Sequence, residues 1–195
     1  MIIGITGGIA SGKSSCSKYF SSLGYVVVDA DLISREIVAA GGDFLRILVA
    51  EFGREVLLSD GNLDRAYFRE LIFSDAAVMG KVNYLMHPLI AEIAQERFVN
   101  YSQSDIVFYD AALLFEAGHD KFCDFVLTVD IPENLQIERA LNRGNITREI
   151  LQKIMAVQMP RFLRLMRSNF CIDNSGSYEN MEYQCDLFLK KIKNL

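Results

Sequence analysis

The stretch GITGGIASGKSS, residues 4–15, decides the fold of this chain. From Gly7 to Ser14 it matches the phosphate-binding pattern G-x-x-x-x-G-K-[ST] without a mismatch. An apolar run precedes it, and a helical pattern that ends at Gly24 follows it, so it predicts a strand, a glycine-rich loop and a helix. Such a loop binds phosphate through its backbone N–H groups and the positive end of the helix dipole. The stretch therefore predicts a nucleotide site.

The loop itself supplies most of the predicted nucleotide contacts. Lys13 is expected to reach the β- and γ-phosphates of ATP, and the Ser14 hydroxyl is the expected ligand of Mg²⁺. This stretch lacks the dinucleotide pattern G-x-G-x-x-G, and the chain lacks an N-K-x-D tetrad, which disfavours a nicotinamide or flavin enzyme and a GTPase. The loop residues expected to bind ATP are Gly8, Ile9, Ala10, Ser11, Gly12, Lys13, Ser14 and Ser15.

Composition limits the classes of protein to which this loop can belong. The chain has 195 residues, of which 51% are hydrophobic, and this length and composition predict one domain with insertions. A net charge of −5 gives no general attraction to nucleic acid or to an anionic membrane, and no apolar run is long enough to span a bilayer. The four cysteines are far apart and form no C-x-x-C pair, which favours reduced thiols and a cytoplasmic protein.

Short apolar runs alternate with longer helical patterns along the chain. Runs of this kind, without period-two alternation, predict a parallel sheet with helices on both faces, so the fold class is α/β. Asp64 and Thr147 are predicted N-caps, and Ser74 is predicted to precede a long helical segment that reaches Tyr101. The predicted strands lie at 2–6, 25–29, 105–110, 124–130 and 169–173.

Several carboxylates follow these runs, at the sheet edge where α/β proteins bind ligands. Asp29 and Asp31 come after the second run, and one of them could meet an acceptor hydroxyl, although Asp29 could instead cap the next helix. Asp110 could hold Mg²⁺ through water or be a plain strand-end carboxylate. Arg35 lies four residues beyond Asp31, and it could contact substrate phosphate or pair with Asp31.

Together, the motifs of this chain resemble the dephospho-coenzyme A kinase family. The phosphate loop is the one strong motif taken alone, but the ordered set is highly specific and spreads over nearly the whole chain. It departs from the family at Ala10, where glycine is usual. The matching segments are GITGGIASGKSS, VDADLISREIV, GNLDRAYFRELIF, LMHPLI, VFYDAALLFEAG, QIERALNR and CIDNSG.

This resemblance implies a P-loop kinase with strand order 2-3-1-4-5 that phosphorylates the ribose 3′-hydroxyl of dephospho-coenzyme A with ATP. It divides the single domain into a nucleotide-binding core, a helical acceptor-binding insertion and a lid. Another small-molecule P-loop kinase, such as a nucleoside monophosphate kinase, and a non-enzymatic ATP-binding regulator are the alternatives; an oligomeric state is not predicted. The core covers 1–40, 102–131 and 168–195, the insertion covers 41–101 and the lid covers 132–167.

The resemblance also implies roles for residues outside the loop. Asp31 is expected to orient the acceptor hydroxyl and then to accept its proton. Arg139 and Arg143, four apart on one helix face, would stabilise the transferring phosphoryl group and bind nucleotide, or else form a solvated basic face. Asn174 is a further expected nucleotide contact. Phe115 and Glu116 would line the acceptor pocket, unless Phe115 is an ordinary core residue.

Overall fold

The computed structural model describes residues 1–144 and 146–194, so positions 145 and 195 of the predicted lid and core lie outside the described residues. Within this part of the chain, five strands fall inside the five predicted apolar runs. The third and fourth strands along the chain, at 107–110 and 125–130, are almost wholly buried, which explains their continuous apolar character. The strands are β1 Ile2–Thr6, β2 Val26–Asp29, β3 Val107–Asp110, β4 Phe125–Asp130 and β5 Phe170–Asp173.

The strands form one parallel sheet in the order β2-β3-β1-β4-β5, which confirms the predicted α/β P-loop kinase fold. In the register of the sheet, Asp110 at the end of β3 lies opposite Ile5 of β1 on one side. On its other side it lies opposite Asp29 of β2. The carboxyl ends of the central strands therefore meet beside the loop that leaves β1.

The helices follow the predicted periodic segments. Two short 3₁₀ turns, Arg54–Val56 and His119–Phe122, complete the regular structure of the described residues. The helices are α1 Lys13–Ser22, α2 Ala30–Ile37, α3 Asp43–Phe52, α4 Arg65–Ser74, α5 Ala76–Asn100, α6 Glu133–Asn142, α7 Arg148–Val157, α8 Arg161–Arg167 and α9 Tyr178–Ile192.

Both predicted caps are confirmed. The Asp64 carboxylate accepts hydrogen bonds from the N–H groups of Ala66 and Tyr67, and the Thr147 hydroxyl accepts one from Ile150. The long helical segment predicted after Ser74 is α5, and Ser74 itself is the last residue of α4. The Asp75 carboxylate accepts from Ala77 N at 2.7 Å at the start of α5.

Unit 1 is the compact unit that contains Met1–Asp29 and the chain from Arg97 onward. Helices α1 and α9 contribute to its main core together with the sheet. Phe20 of α1 stacks on Phe108 of β3 with ring centroids 4.1 Å apart, and Phe188 of α9 packs against both rings. This packing fixes α1, and therefore the loop that precedes it, against the sheet.

Unit 2 is the compact unit Ala30–Glu96, which overlaps the predicted helical insertion. Its own core contains Phe44, Leu48, Val56 and Phe68, all buried. The division into core, insertion and lid at the predicted boundaries stays a prediction. Among residues 1–144 and 146–194, no helix has both the length and the apolar character needed to cross a bilayer.

Candidate active site

The phosphate loop joins β1 to α1 and owes its shape to close contacts that only glycine permits. Gly12 has φ of 92°, and a side chain there would collide with the amide of Asn174. A side chain on Gly8 would collide with the amide of Gln136. Ala10 also has a positive φ, 57°, in a region that non-glycine residues seldom occupy. The predicted loop therefore lies between side chains that come from distant parts of the chain.

Lys13 and Asp110 form an ion pair behind this loop. Asp110 is 3% exposed, and its second oxygen accepts a hydrogen bond from Ser17 Oγ. Both carboxylate oxygens thus have protein partners, which lowers the cost of burying this charge. Ser14, the other predicted metal ligand, is exposed in the first turn of α1. The described residues contain no cluster of three or more acidic, histidine or cysteine side chains that could hold a metal.

Asn174 connects the phosphate loop to the helix that carries Arg139. Its side-chain amide donates to Ser11 O at 2.8 Å, and its backbone N–H donates to Asp130 O at 2.9 Å. Arg139 of α6 donates to Asn174 O at 3.0 Å. The structure therefore brings together the loop, Asn174 and Arg139, to which the phosphate-loop pattern and the family resemblance assigned nucleotide binding or phosphoryl transfer. Arg143 follows at the carboxyl end of α6 and is exposed.

Phe115 and Glu116 contact the segment around α8. Phe115 is 5% exposed, and the guanidinium of Arg167 lies 4.5 Å from its ring centroid. Glu116 accepts a hydrogen bond from Met159 N. Arg164 donates to Met159 O at 2.6 Å, and burial lowers the pKa of its guanidinium, an effect that Glu116 opposes. The role of Phe115 and Glu116 at the acceptor stays a prediction, but both side chains already have partners in unit 1.

Asp31 and Arg35 belong to unit 2, on α2, which begins directly after β2. Asp31 is exposed in the first turn of α2. Arg35 lies in the last turn and lines a cavity of about 530 Å³. Arg65 and Arg69 of α4 line the same cavity, and the sequence pattern assigned no role to either.

Comparison with known proteins identifies the family. Residues 1–180 match the family described as Dephospho-CoA kinase. A protein named Dephospho-CoA kinase from Dichelobacter nodosus is 40% identical over 195 residues, which cover all of this chain and 98% of that protein. The chain belongs to the dephospho-CoA kinase family. The predicted family and enzyme class, a phosphotransferase, are therefore confirmed.

Solved structures agree with this membership. The crystal structure of TT1252 from Thermus thermophilus is 29% identical with a TM-score of 0.81, and the match covers 98% of this chain and 97% of that one. A dephospho-CoA kinase from Campylobacter jejuni has a TM-score of 0.72 over all of this chain and 98% of that one, but at 23% identity it supports the fold alone. The dephospho-CoA kinase fold thus extends over the whole chain.

Two glutamines of this family member contact the phosphate loop and were missed by sequence reasoning. Gln158, which follows α7, accepts a hydrogen bond from Ile9 N at 2.9 Å. Gln136 of α6 is 3% exposed, donates to Ile131 O and lies against Gly8. Neither residue belongs to a pattern with the loop, because their proximity to it arises only when β4, α6 and α7 fold. The sequence therefore offered no signal for either contact.

Proposed function

We propose that this chain transfers the γ-phosphoryl group of ATP to the ribose 3′-hydroxyl of dephospho-CoA, giving CoA and ADP. The observation that carries the proposal is the assembled phosphate loop, with Lys13, Asn174 and Arg139 around it, in a chain that matches the family over residues 1–180. Phosphoryl transfer depends mainly on positioning and on charge stabilisation. These residues can position the nucleotide and stabilise the negative charge of its phosphates.

On the nucleotide side, Lys13 exchanges Asp110 for the β- and γ-phosphates when ATP binds. Its side chain is 13% exposed, so it lies at the surface of the loop within reach of a bound anion. Arg139 offers its remaining N–H groups to the phosphoryl group in transfer. Arg143 and Asn174 bind the nucleotide. The loop residues 8–15 surround its phosphates and hold them through backbone N–H groups other than those of Ile9, Ser11 and Ser15, which donate to protein oxygens.

Mg²⁺ fits this site as a metal held largely by the nucleotide. Magnesium in kinases typically has one or two protein ligands and completes its shell with phosphate oxygens and water. Ser14 is exposed at the start of α1 and supplies a hydroxyl oxygen. Asp110 would act through water, from the oxygen that Lys13 leaves when ATP binds, while Ser17 keeps the other oxygen. When bound, the ion neutralises charge on the phosphates.

On the acceptor side, Asp31 orients the 3′-hydroxyl and accepts its proton late in the transfer. Arg35 contacts acceptor phosphate, and Phe115 and Glu116 shape the acceptor pocket. The insertion 41–101 binds the acceptor, and the segment 132–167 acts as the lid. The free thiols of Cys16, Cys123, Cys171 and Cys185 are consistent with a cytoplasmic enzyme.

The test is an ADP-release assay in which dephospho-CoA is compared with nucleoside monophosphates, and mass spectrometry locates the added phosphate. We expect turnover with dephospho-CoA and phosphate on its ribose 3′-oxygen. The matched variant Asp31→Asn keeps the shape of the side chain, and its kcat should fall about 10²-fold while ATP still binds. Turnover on nucleoside monophosphates alone would indicate a different kinase. ATP binding without turnover on any acceptor would indicate a regulator.

A further inference from the structure

Unit 1 contains a cavity of about 330 Å³, here called the α6–α8 cavity. Residues of α6, of α7 and the turn that follows it, and of α8 line this cavity. Its volume lies at the lower end of the range for small-molecule sites. All of its lining residues belong to unit 1, which also contains the phosphate loop.

The α6–α8 cavity borders the first half of the phosphate loop. Gln158 lines the cavity and accepts a hydrogen bond from Ile9 N at 2.9 Å. Gln136 also lines it, and its side-chain amide lies against Gly8. Asn174, by contrast, contacts the second half of the loop at Ser11. A ligand in this cavity would therefore lie beside residues 8 and 9 of the loop.

Arg164 brings a buried positive charge to this cavity. It lines the cavity and is 3% exposed, and its Nη2 donates to Met159 O at 2.6 Å. Among residues 1–144 and 146–194, its Nε has no hydrogen-bond partner and its guanidinium forms no ion pair. Buried polar atoms nearly always have a partner, and an unpaired buried charge is costly. This unmatched donor indicates an anion that comes from outside the protein.

The carboxylates around Arg164 have other partners. Asp130 accepts from Nε and Nη2 of Arg161 at 2.6–3.1 Å. Glu116 accepts a backbone N–H of the turn after α7. Glu133, the one acidic residue in the described lining, is exposed in the first turn of α6. The guanidinium thus keeps donors for charge-assisted hydrogen bonds with an oxyanion.

We propose that Arg164 binds the terminal phosphoryl group of ATP at the α6–α8 cavity and thereby lets the enzyme distinguish ATP from ADP. This proposal rests on the part of the proposed function that takes ATP as the phosphoryl donor. The N-terminus of α1 holds the inner phosphates, and the group beyond them lies beside residues 8 and 9, where the cavity begins. ADP lacks that group, so it gains nothing from Arg164.

Calorimetric titration tests this proposal with two ligands, ADP and the non-hydrolysable ATP analogue adenylyl imidodiphosphate, each with Mg²⁺ and without acceptor. For Arg164→Met, the Kd of the analogue should rise about 10- to 100-fold, the loss of one or two charge-assisted hydrogen bonds. The Kd of ADP should stay within about threefold of wild type. Arg164→Lys keeps the charge and should restore part of the affinity for the analogue.

The control is Lys190→Gln, which removes an exposed cation of α9 outside the cavity. It should leave both Kd values unchanged, and an equal rise in this control would overturn the proposal, because the effect would then reflect net charge. An equal rise for ADP in Arg164→Met would also overturn it, because Arg164 would then act only by supporting Met159. An unchanged Kd for the analogue in folded Arg164→Met would overturn it outright.

Arg164→Lys decides the question where circular dichroism shows that Arg164→Met does not fold. Lysine cannot offer the two-pronged donor geometry of a guanidinium, so the ratio of the two Kd values should still change at least about threefold. An unchanged ratio would overturn the proposal. Since no titration contains dephospho-CoA, a wild-type protein that binds the analogue but does not phosphorylate dephospho-CoA would refute the proposed function and leave this site standing.

Discussion

The phosphate loop of unit 1 and the arginine-lined cavity of unit 2 hold their polar groups in different ways. In the loop, Ile9 N–H and Ser11 C=O have side-chain partners, and Lys13 has a buried carboxylate. In the cavity, Arg65 and Arg69 have no ion-pair partner among the described residues. The polar groups of the loop are thus held by protein partners, whereas no ion pair holds these two cavity arginines among the described residues.

This difference teaches that the two sites should respond differently to substitution. Removing a side chain that supports the loop leaves a buried polar group without its partner, so we expect losses in both stability and turnover. Removing a cavity arginine leaves no such group, so we expect a loss of acceptor affinity alone. The predictions below, from the largest expected effect to the smallest, test the part of this contrast that concerns unit 1.

Lys13→Ala should have the largest effect. It removes the charge that neutralises the β- and γ-phosphates, and kcat should fall roughly 10³-fold or more. It also removes the ion-pair partner of the buried Asp110, which keeps the hydrogen bond from Ser17 Oγ, so the free energy of unfolding should fall by about 1–3 kcal/mol. Steady-state kinetics and urea unfolding measure the two effects. An unchanged kcat with a higher KM for the acceptor alone would contradict the assignment of Lys13 to the phosphates of ATP.

Arg139→Ala should lower kcat about 10²- to 10⁴-fold, by analogy with arginine fingers. Arg143→Ala is its matched control on the same helix, because Arg143 is exposed at the carboxyl end of α6. The Arg143→Ala variant should show a smaller fall in kcat than Arg139→Ala and should mainly weaken ATP binding. Single-turnover rates at saturating ATP and dephospho-CoA separate these outcomes. Unchanged rates in both variants would remove Arg139 from the transfer step.

Gln158→Ala should have a smaller effect that falls on the nucleotide. It deprives Ile9 N–H of its partner, so the loop loses one support while every charged group stays in place. We expect the KM for ATP to rise about tenfold, the worth of one hydrogen bond, with the acceptor KM unchanged. Gln152→Ala is a suitable control, because Gln152 is an exposed glutamine of α7, the helix that precedes Gln158. A change in acceptor KM instead would contradict the assignment of Gln158 to the loop.

Thiol labelling should give the smallest signal, and it samples unit 1 alone, where all four cysteines lie. Cys171 is exposed, but burial of its sulfur and the nearby Asp130 raise its pKa to about 11. Since the thiolate is the reactive form, iodoacetamide at pH 8 should alkylate it roughly a hundredfold more slowly than an ordinary thiol. The rate should rise about tenfold per pH unit until the pH nears that pKa.

Cys16 and Cys185 provide the internal reference for this labelling experiment. Their sulfurs lie 3.5 Å apart in the core, and the contact with Cys185 together with burial raises the pKa of Cys16 well above its ordinary value. Neither should react before unit 1 unfolds. Peptide mass spectrometry reads each position separately. Rapid alkylation of Cys16 in the native protein would show that α1 opens readily and that the phosphate loop is less fixed than we infer.

Sequence alone predicted those features that depend on neighbouring residues. The apolar runs gave the strands, the glycine pattern gave the loop, and Asp64 gave a helix start. The pattern also gave the long helix after Ser74, at whose start Asp75 accepts a hydrogen bond from Ala77 N. The strand order followed from the family resemblance, since composition contains no information on which strands pair.

Features that depend on distant residues escaped prediction. Gln158 and Ile9 are 149 positions apart, and only the folded sheet brings them together. Arg65 and Arg69 have the spacing of ordinary surface residues on a helix, and their shared cavity is visible only once α2 and α4 are packed. A site made by backbone geometry needs glycines at fixed positions, but a site made by side chains on separate helices imposes no such pattern.

Ala10 has a consequence for the entropy of nucleotide binding. Its φ of 57° costs an alanine about 1 kcal/mol relative to glycine, so the neighbours of the loop hold it in that conformation. An alanine also samples fewer conformations than glycine whenever the loop opens. ATP therefore meets a loop with little freedom left to lose, and a larger share of its interaction energy remains as affinity. Ala10→Gly would relieve the strain, but the more flexible loop would lose more conformational entropy on binding, so the affinity for ATP would fall.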